Sequence, residues 1–256
     1  MTLASPESSL SHLLTTFRLL HTAGTFQDQA KQAALENVSH LEFLARLLSA
    51  EDALRHERIV RVRMKDAKIP GIKTLDAFDW AHPTTISKSL ILNAFSLDFI
   101  NTNSNLVLVG PSGVGKTHIA LALAYTACQK EIKTLWVTAA DLVNTLTAAK
   151  ADHSLSRAIN RFSAPKLLVI DELGFLPLDK DGSDLFFQVM SHRYEQGSVV
   201  LTTNRPFKDW GKIFNDNTVA SAILDRLVHH SDVVKIEGPS YRVKNRKEQR
   251  SPPAGK

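Results

Sequence analysis

The stretch LVLVGPSGVGKTHIA, residues 106–120, decides the fold. A run of aliphatic residues, typical of a buried strand, is followed by three glycines and then by a helical pattern. Gly110, Gly115, Lys116 and Thr117 fit the pattern G-x-x-x-x-G-K-[ST], in which glycines let the backbone turn tightly and aim N–H groups at an anion. The segment therefore predicts a phosphate-binding loop. A plain glycine-rich turn beside a surface lysine is the alternative, and the complete motif between a strand and a helix argues against it.

The loop and the helix after it predict a nucleotide site. The helix that begins near Lys116 adds the positive end of its dipole. Lys116 is expected to reach the β- and γ-phosphates, and the Thr117 hydroxyl to ligate Mg²⁺. With ATP and Mg²⁺ as ligands, the predicted contact residues are Gly110, Pro111, Ser112, Gly113, Val114, Gly115, Lys116, Thr117 and His118.

Short aliphatic runs alternate with helical patterns on both sides of the loop. Strands are predicted at 105–109, 133–138, 166–171, 198–203 and 232–236, and helices at 116–129, 141–150 and 183–195. The runs are continuous rather than alternating, as in strands that are buried on both faces. They predict an α/β fold with a five-stranded parallel sheet between helices, which binds its ligand at the carboxyl ends of the strands.

Two of these strands end in residues suited to hydrolysis. In LLVIDEL, residues 167–173, Asp171 suits Mg²⁺ coordination, and Glu172 suits polarising a water against the γ-phosphate. An acidic pair can also simply start a loop or cap a helix, but the phosphate loop upstream favours the catalytic interpretation. Asn204 follows VVLTT, where its amide could orient the same water, although an Asn after a strand is more often a turn residue.

Composition limits the remaining classes of protein. The chain has 256 residues, of which 43% are hydrophobic, enough for a packed interior. It contains no run of eighteen apolar residues and no basic start followed by an apolar run, so neither a membrane span nor a secretory signal is expected. A single cysteine, Cys128, excludes an internal disulfide and suits a reducing cytosol, and we expect a cytoplasmic protein. The net charge of +5 is compatible with a polyanionic partner.

Three regions differ along the chain. Residues 1–70 show helical spacing without strand-like runs and predict a small all-α domain, which the Pro70–Gly71 pair ends. Residues 71–243 carry the phosphate loop and the strands. Residues 244–256 are basic and contain prolines, and they predict a disordered tail.

Five segments carry a resemblance to a known family. They are, in order, GPSGVGKTHIALAL, TAADLVNTL, LLVIDELGFLPLD, LTTNRPFKDWGKIF and SAILDRLVHHSDVVKIEGPSYRV. From about residue 10 to residue 243 the chain resembles the IstB family, helper ATPases of insertion-sequence transposition that are related to the DnaC/DnaI helicase loaders within the AAA+ class. The resemblance implies an AAA+ ATPase domain that lacks a sizeable C-terminal lid.

The resemblance also implies roles for individual residues. It assigns Lys116 and Thr117 to Walker A, Asp171 and Glu172 to Walker B, and Asn204 to sensor 1.

Two arginines receive roles from the resemblance alone. Arg226, in LDRLVHH, matches an arginine finger that acts on the nucleotide of a neighbouring subunit, whereas the residues by themselves favour an ion pair with Asp225 or a solvated helix position. Arg242, in SYR, matches the sensor 2 arginine that contacts the nucleotide. Relatives read GESYR where this chain has Pro239, and this departure puts the placement of Arg242 in question.

Two basic clusters are candidates for DNA contacts. A basic helix face is usually only a solvated surface, but the net charge and the resemblance favour DNA. Neither cluster has base-reading signatures, so we expect contacts to the DNA backbone that tolerate any sequence and weaken with salt. The clusters are Arg58, Arg61, Lys65 and Lys68 on one face of a predicted helix 53–68, and Lys150, Arg157 and Arg161 before the acidic strand.

The function that the resemblance implies is that of an ATP-dependent DNA-binding helper. It would self-associate into a ring or spiral on duplex DNA and aid an IstA-like transposase, with ATP hydrolysis driving release or handover. A DnaC/DnaI-like helicase loader is the main alternative. A small-molecule P-loop kinase, for which no lid segment is evident, and a scaffold that coats DNA without appreciable turnover also remain open.

Overall fold

The computed structural model describes residues 5–243, and its contacts divide the chain into two compact units after Val62. The predicted tail, residues 244–256, lies outside the described residues. Because the two units are separate, each is described by itself.

The first unit is helical, as predicted. It consists of α1 (Pro6–Thr16), α2 (Leu20–Leu35) and most of α3 (His40–Asp66). Ser5 caps α1 by accepting a hydrogen bond from the backbone N–H of Ser8, and proline occupies the first helical position, where its missing N–H costs nothing. Between α2 and α3 the buried Glu51 carboxylate accepts hydrogen bonds from the N–H and the hydroxyl of Thr22.

The end of α3 differs from the prediction in two ways. The helix stops at Asp66, and Lys68 adopts a left-handed φ of 56°, so Lys68 does not share the helix face of Arg58, Arg61 and Lys65. Ala67 is fully buried, and its carbonyl accepts a hydrogen bond from Trp136 at the edge of the sheet. The chain therefore joins the second unit before the Pro70–Gly71 pair that predicted the boundary.

The second unit is built on the predicted parallel sheet. Its strands are β1 (Asn105–Val109), β2 (Thr134–Thr138), β3 (Leu167–Leu173), β4 (Ser198–Thr203) and β5 (Ser231–Lys235). All neighbours are parallel in the order β2-β3-β4-β1-β5. The α/β fold class is confirmed. β3 extends past its predicted end at residue 171, and its register with β4 shifts between Ile170 and Leu173.

Helices cover both faces of this sheet. They are α4 (Lys88–Ala94), α5 (Asp98–Asn101), α6 (Lys116–Gln129), α7 (Ala139–Ala151), α8 (Leu155–Ser163), α9 (Lys180–Arg193), α10 (Trp210–Phe214) and α11 (Asn217–Val228), with a 3₁₀ turn at Phe207–Asp209. One core packs α7 to α11 on one face, and the other packs α4 to α6 on the opposite face. Within residues 5–243 no helical lid domain follows β5.

The parallel arrangement brings the carboxyl ends of β1, β3 and β4 to one edge of the sheet. The phosphate loop, the acidic pair and Asn204 therefore converge there, as the strand order requires. None of the described helices has both the length and the apolar character to cross a membrane.

Candidate nucleotide-binding site

Two positions in the loop between β1 and α6 accept only glycine. Gly115 caps α6 with a φ of 101°, and a Cβ there would strike the Phe78 ring. Gly110 has no room either, because a Cβ would collide with the Ile236 carbonyl oxygen. The two glycines thus let neighbouring segments close on the loop, which fixes its N–H groups at the start of the helix.

Lys116 lies inside this loop. Its Nζ donates hydrogen bonds to the carbonyls of Gly110 and Pro111, both at 2.7 Å, and the residue is only 8% exposed. Burial lowers the pKa of Lys116 to about 8; the charge of Asp171 acts against this shift, and that of Arg242 adds to it. A phosphate in the loop would compensate the buried charge, so the site favours an anion beside this ammonium.

Asp171 is the centre of a hydroxyl network. The carboxylate is 4% exposed and accepts from the Thr117 hydroxyl, at 3.1 Å to each oxygen, and from the Thr202 hydroxyl. The Thr202 oxygen in turn accepts the backbone N–H of Glu172 at 3.0 Å. The Thr117 hydroxyl on α6 and the Asp171 carboxylate on β3 thus lie side by side. Both are hard oxygen ligands, the kind that Mg²⁺ prefers.

Glu172 and Asn204 face the same cavity from neighbouring strands. Glu172 has a left-handed φ of 64°, a strained conformation for a non-glycine residue, and its side chain is exposed. The Oδ1 atom of Asn204 is buried and finds no hydrogen-bond partner among the described residues. Since a buried acceptor is rarely left unpaired, this atom fits a site that receives a polar ligand or a water.

The cavity at this edge has a volume of about 260 Å³. Loop residues Ser112 to His118 form one wall, and Glu172, Phe175, Thr202 and Asn204 lie at the phosphate end. The other wall comes from residues that the sequence did not single out. They are Lys73, Ala77, Phe78, Asp79, His82, Pro83, Leu121 and Tyr241.

Aromatic rings build this second wall. The Phe78 ring packs edge-on against Trp80 and against His118, with centroids 5.0 and 5.5 Å away. His82 packs edge-on against Tyr241 at 4.9 Å. Such rings suit a flat heterocyclic base. The available signal was the aromatic-rich stretch FDWAH, residues 78–82, which begins a few residues after the Pro70–Gly71 break.

Arg242 does reach the cavity, despite the departure at Pro239. The Tyr241 N–H donates to the Gly113 carbonyl at 2.9 Å, and the Pro239 carbonyl lies 2.8 Å from Nε2 of His82. These two contacts hold the segment against the phosphate loop and place Arg242 in the lining.

Arg226 is not among the residues that line the cavity of its own chain. It lies in the last turn of α11, where its Nη1 donates to the Ala222 carbonyl at 2.9 Å and its guanidinium lies over the Phe187 ring at 4.7 Å. The structure thus separates Arg226 from Lys116, Asp171, Glu172, Asn204 and Arg242, which it brings together.

The basic residues predicted to contact DNA have mixed surroundings. Arg61 pairs with Glu57 at 2.9 Å, and Lys150 pairs with Asp181 at 3.0 Å, both exposed. Arg157 and Arg161 lie on the exposed face of α8, a helix that the sequence analysis did not predict.

Known proteins match this chain over most of its length. Residues 12–249 match the family of IstB-like ATP binding proteins. A protein of insertion sequence IS21 from Pseudomonas aeruginosa, named for ATP binding, is 37% identical over 93% of this chain and 90% of its own length. A similarly named protein of IS232 from Bacillus thuringiensis subsp. berliner is 40% identical over 81% of this chain and 83% of its own.

Solved structures resemble the chain in fold. AMPPCP-bound DnaA from Aquifex aeolicus has a TM-score of 0.56 at 19% identity, over 71% of this chain and 55% of that one. The DnaC helicase loader has a TM-score of 0.52 at 22% identity, over 64% of this chain and 96% of that one. These likenesses show the AAA+ P-loop fold and no more.

Proposed function

We propose a function from the premise that this chain belongs to the family of IstB-like ATP binding proteins. The chain hydrolyses ATP, binds duplex DNA and assists the transposase of an insertion sequence. The observation that carries the ATPase activity is the convergence of Lys116, Glu172 and Asn204 on one cavity, with Asp171 hydrogen-bonded to Thr117 in its lining. The relatives at 37% and 40% identity, named for insertion sequences, support the role in transposition.

The residues divide the chemistry of hydrolysis between them. The loop N–H groups and the Lys116 ammonium hold the β- and γ-phosphates, and the aromatic wall receives the base. Glu172 accepts a proton from the attacking water, and Asn204 orients that water through its unpaired Oδ1. The water oxygen bonds to the γ-phosphorus as the bond to the β–γ bridging oxygen breaks, which leaves ADP and phosphate. Thr117 and Asp171 would hold Mg²⁺, which would supply neutralisation of the phosphate charge.

A second subunit completes the site. Because Arg226 does not line its own cavity, its guanidinium is available to a neighbouring nucleotide, where it stabilises the charge on the γ-phosphoryl group. ATP then lies between Lys116 of one subunit and Arg226 of the next. Hydrolysis in this arrangement depends on assembly into a ring or spiral.

Exposed basic residues form the DNA-binding surface. Arg157 and Arg161 on α8 and Arg58, Arg61 and Lys65 on α3 contact phosphates, and ATP-dependent assembly multiplies these weak contacts. Lys150 is held by Asp181 and contributes once that exposed pair opens. The helical first unit serves DNA gripping or subunit contacts. Hydrolysis releases the protein or hands the DNA to the transposase.

The helicase-loader alternative has weaker support. The DnaC likeness is one of fold at 22% identity, whereas the insertion-sequence relatives match at 37% to 40% over most of both chains. A pull-down with an IstA-like transposase and with a replicative helicase separates the two, and we expect capture of the transposase only. A rise in ATPase rate on adding duplex DNA separates both from a kinase.

A subunit-mixing experiment tests the shared site. Arg226→Ala and Glu172→Gln chains are each expected to be nearly inactive with DNA present. In an equimolar mixture, about a quarter of the interfaces pair an intact Glu172 with an intact neighbouring Arg226, so activity returns.

The control is a mixture of Arg226→Ala with the double variant Arg226→Ala/Glu172→Gln. It contains no Arg226 and is expected to stay inactive. If the first mixture gains nothing over its components while both variants still bind ATP and assemble, Arg226 does not act between subunits.

A further inference from the structure

A second cluster of metal-ligating side chains lies outside the nucleotide cavity. In the described part of the chain, Glu195, His229 and His230 form a group whose ligand atoms all lie within 4.8 Å of one another, and all three side chains are exposed. Glu195 lies between α9 and β4, His229 follows α11, and His230 precedes β5. Two segments far apart in sequence, the connection before β4 and the connection between α11 and β5, thus present one carboxylate and two imidazoles to the same point.

The backbone under this cluster is fixed by the residues that begin β1. The Asn105 N–H donates to the His230 carbonyl at 2.7 Å, and its side-chain amide donates to the Leu227 carbonyl at 2.9 Å. The Asn103 amide donates to the Glu195 carbonyl at 2.9 Å. Glu195 itself has a left-handed φ of 58°. Both ligand-bearing segments are therefore anchored to one short stretch, residues 103–105, which lowers the cost of gathering their side chains around an ion.

Tyr194 orients one of the imidazoles. Its hydroxyl lies 3.0 Å from Nδ1 of His229. When Nδ1 carries the proton, it donates that proton to the Tyr194 oxygen, and the lone pair of Nε2 is free for a metal. Hydrogen-bonded partners of this kind set the tautomer and the ring orientation of metal-binding histidines.

The distances suit a small divalent ion. Zinc bonds of about 2.0 to 2.2 Å place tetrahedral ligand atoms about 3.3 to 3.6 Å apart. The Glu195 carboxylate lies 3.7 Å from Nε2 of His230, and the rings of His229 and His230 have centroids 4.1 Å apart. Since these side chains are exposed, small rotations close the remaining gaps.

We propose that Glu195, His229 and His230 bind a divalent transition-metal ion, with zinc the preferred species and water in the fourth position. The ion ties the connection before β4 to the end of α11 and the start of β5. It also fixes the residues that directly follow α11, about one turn beyond Arg226. This site is independent of the nucleotide site and of the function proposed above.

Zinc titration of the full chain without a histidine tag tests the proposal. We expect one Zn²⁺ per chain by calorimetry, and a cobalt-substituted sample with the visible absorption of four-coordinate Co²⁺. Glu195→Gln, His229→Ala and His230→Ala are each expected to lower the Zn²⁺ affinity at least about tenfold, and Tyr194→Phe about tenfold through lost orientation.

His153→Ala is the matched control, because this exposed histidine lies outside the cluster. It is expected to bind zinc like the wild type. Absence of stoichiometric zinc binding, or an unchanged affinity in the three ligand variants, would overturn the proposal. Circular dichroism and ATP affinity are expected to stay at wild-type values in all variants, so failure here is distinguishable from failure of the nucleotide site.

Discussion

The phosphate-binding edge of the second unit and the helical first unit are organised in different ways. At the edge, Lys116 and Asp171 are buried with their hydrogen bonds made inside the protein. In the first unit only a few side chains, among them Phe26, Leu47 and Glu51, are buried. Large apolar residues there stay exposed, including Leu10, Leu13, Phe17, Leu20, Leu35 and Leu41.

This difference indicates how each region is specified. At the edge, the loop glycines pack closely against Phe78 and against the residue that follows β5. These close contacts fix the positions of the groups around the cavity. The first unit instead contains an open apolar groove lined by residues such as Leu14, Phe26 and Phe43. A region built in this way is suited to contacts with other molecules, and the edge is suited to chemistry. Four predictions test this contrast, in order of expected effect.

Glu172→Gln gives the largest effect. Loss of the carboxylate base is expected to lower DNA-stimulated ATP hydrolysis by about 10²- to 10⁴-fold, with ATP binding retained. Steady-state phosphate release and fluorescent-ATP binding measure the two quantities. Glu42→Gln in the first unit, an exposed position outside the proposed DNA contacts, is the matched control and is expected to hydrolyse ATP like the wild type. An equal loss of ATP hydrolysis in both variants would show that the phosphate-binding edge is no more important for the reaction than the first unit.

Leu47→Ala tests whether the first unit has its own small core. Leu47 is 6% exposed, and the truncation is expected to destabilise this unit by about 2 to 5 kcal/mol. Hydrogen exchange over residues 5–62 reports the loss, while ATP affinity of the second unit is expected to hold. Leu41→Ala, at an 82% exposed position, is the control. A parallel loss of ATP affinity would show that the two regions are not separable.

Lys116→Ala tests the buried ammonium. Loss of its charge-assisted contacts is expected to weaken ATP binding by about 1.5 to 3 kcal/mol, while Lys212→Ala at an exposed position leaves it unchanged. The free protein carries Lys116 with a pKa of about 8, because burial penalises the charged form. As the pH rises through this value the ammonium deprotonates, so wild-type ATP affinity is expected to fall above it.

The pH dependence has its own control. The residual affinity of Lys116→Ala is expected to stay flat across the same range, as measured by calorimetry. A variant that loses affinity as steeply as the wild type would assign the titration to another group.

The double variant Arg58→Ala/Arg61→Ala gives the smallest effect. Each lost phosphate contact is expected to reduce the slope of log affinity against log salt by about one, with little change in sequence preference. Fluorescence anisotropy on duplex DNA at several salt concentrations measures the slope. Lys31→Ala, an exposed change on α2, is the control and is expected to keep the wild-type slope. An unaltered slope in the double variant would show that these two arginines are exposed to solvent and do not contact DNA phosphates.

Local patterns predicted the phosphate-binding edge well. The motif at 110–117 is contiguous, and the aliphatic strands preceding Asp171 and Asn204 each end where parallel topology brings them together. No helix is predicted at α8, although Leu155, Ala158, Ile159 and Phe162 have helical spacing, since a segment of nine residues carries only a short periodic signal.

Features formed between distant segments were beyond a single-sequence analysis. The aromatic wall joins residues 78–82 to Tyr241, and the bridge between Thr85 and Glu237 that aligns these segments has no local signature. The end of α3 at Asp66 depends on Ala67 reaching Trp136, which is a tertiary contact. The cluster of Glu195, His229 and His230 joins residues that are far apart in sequence, so no local pattern indicates it.

The Thr202 hydroxyl gives to the Asp171 carboxylate and receives from the backbone of Glu172. One oxygen atom on β4 therefore joins the side chain of Asp171 to the backbone of Glu172. A valine at position 202 would remove both hydrogen bonds while keeping the outline of the side chain, so we expect it to loosen the orientation of the Asp171 carboxylate and the backbone of Glu172 together. The alignment of the two neighbouring acidic residues thus depends on a hydroxyl from the adjacent strand.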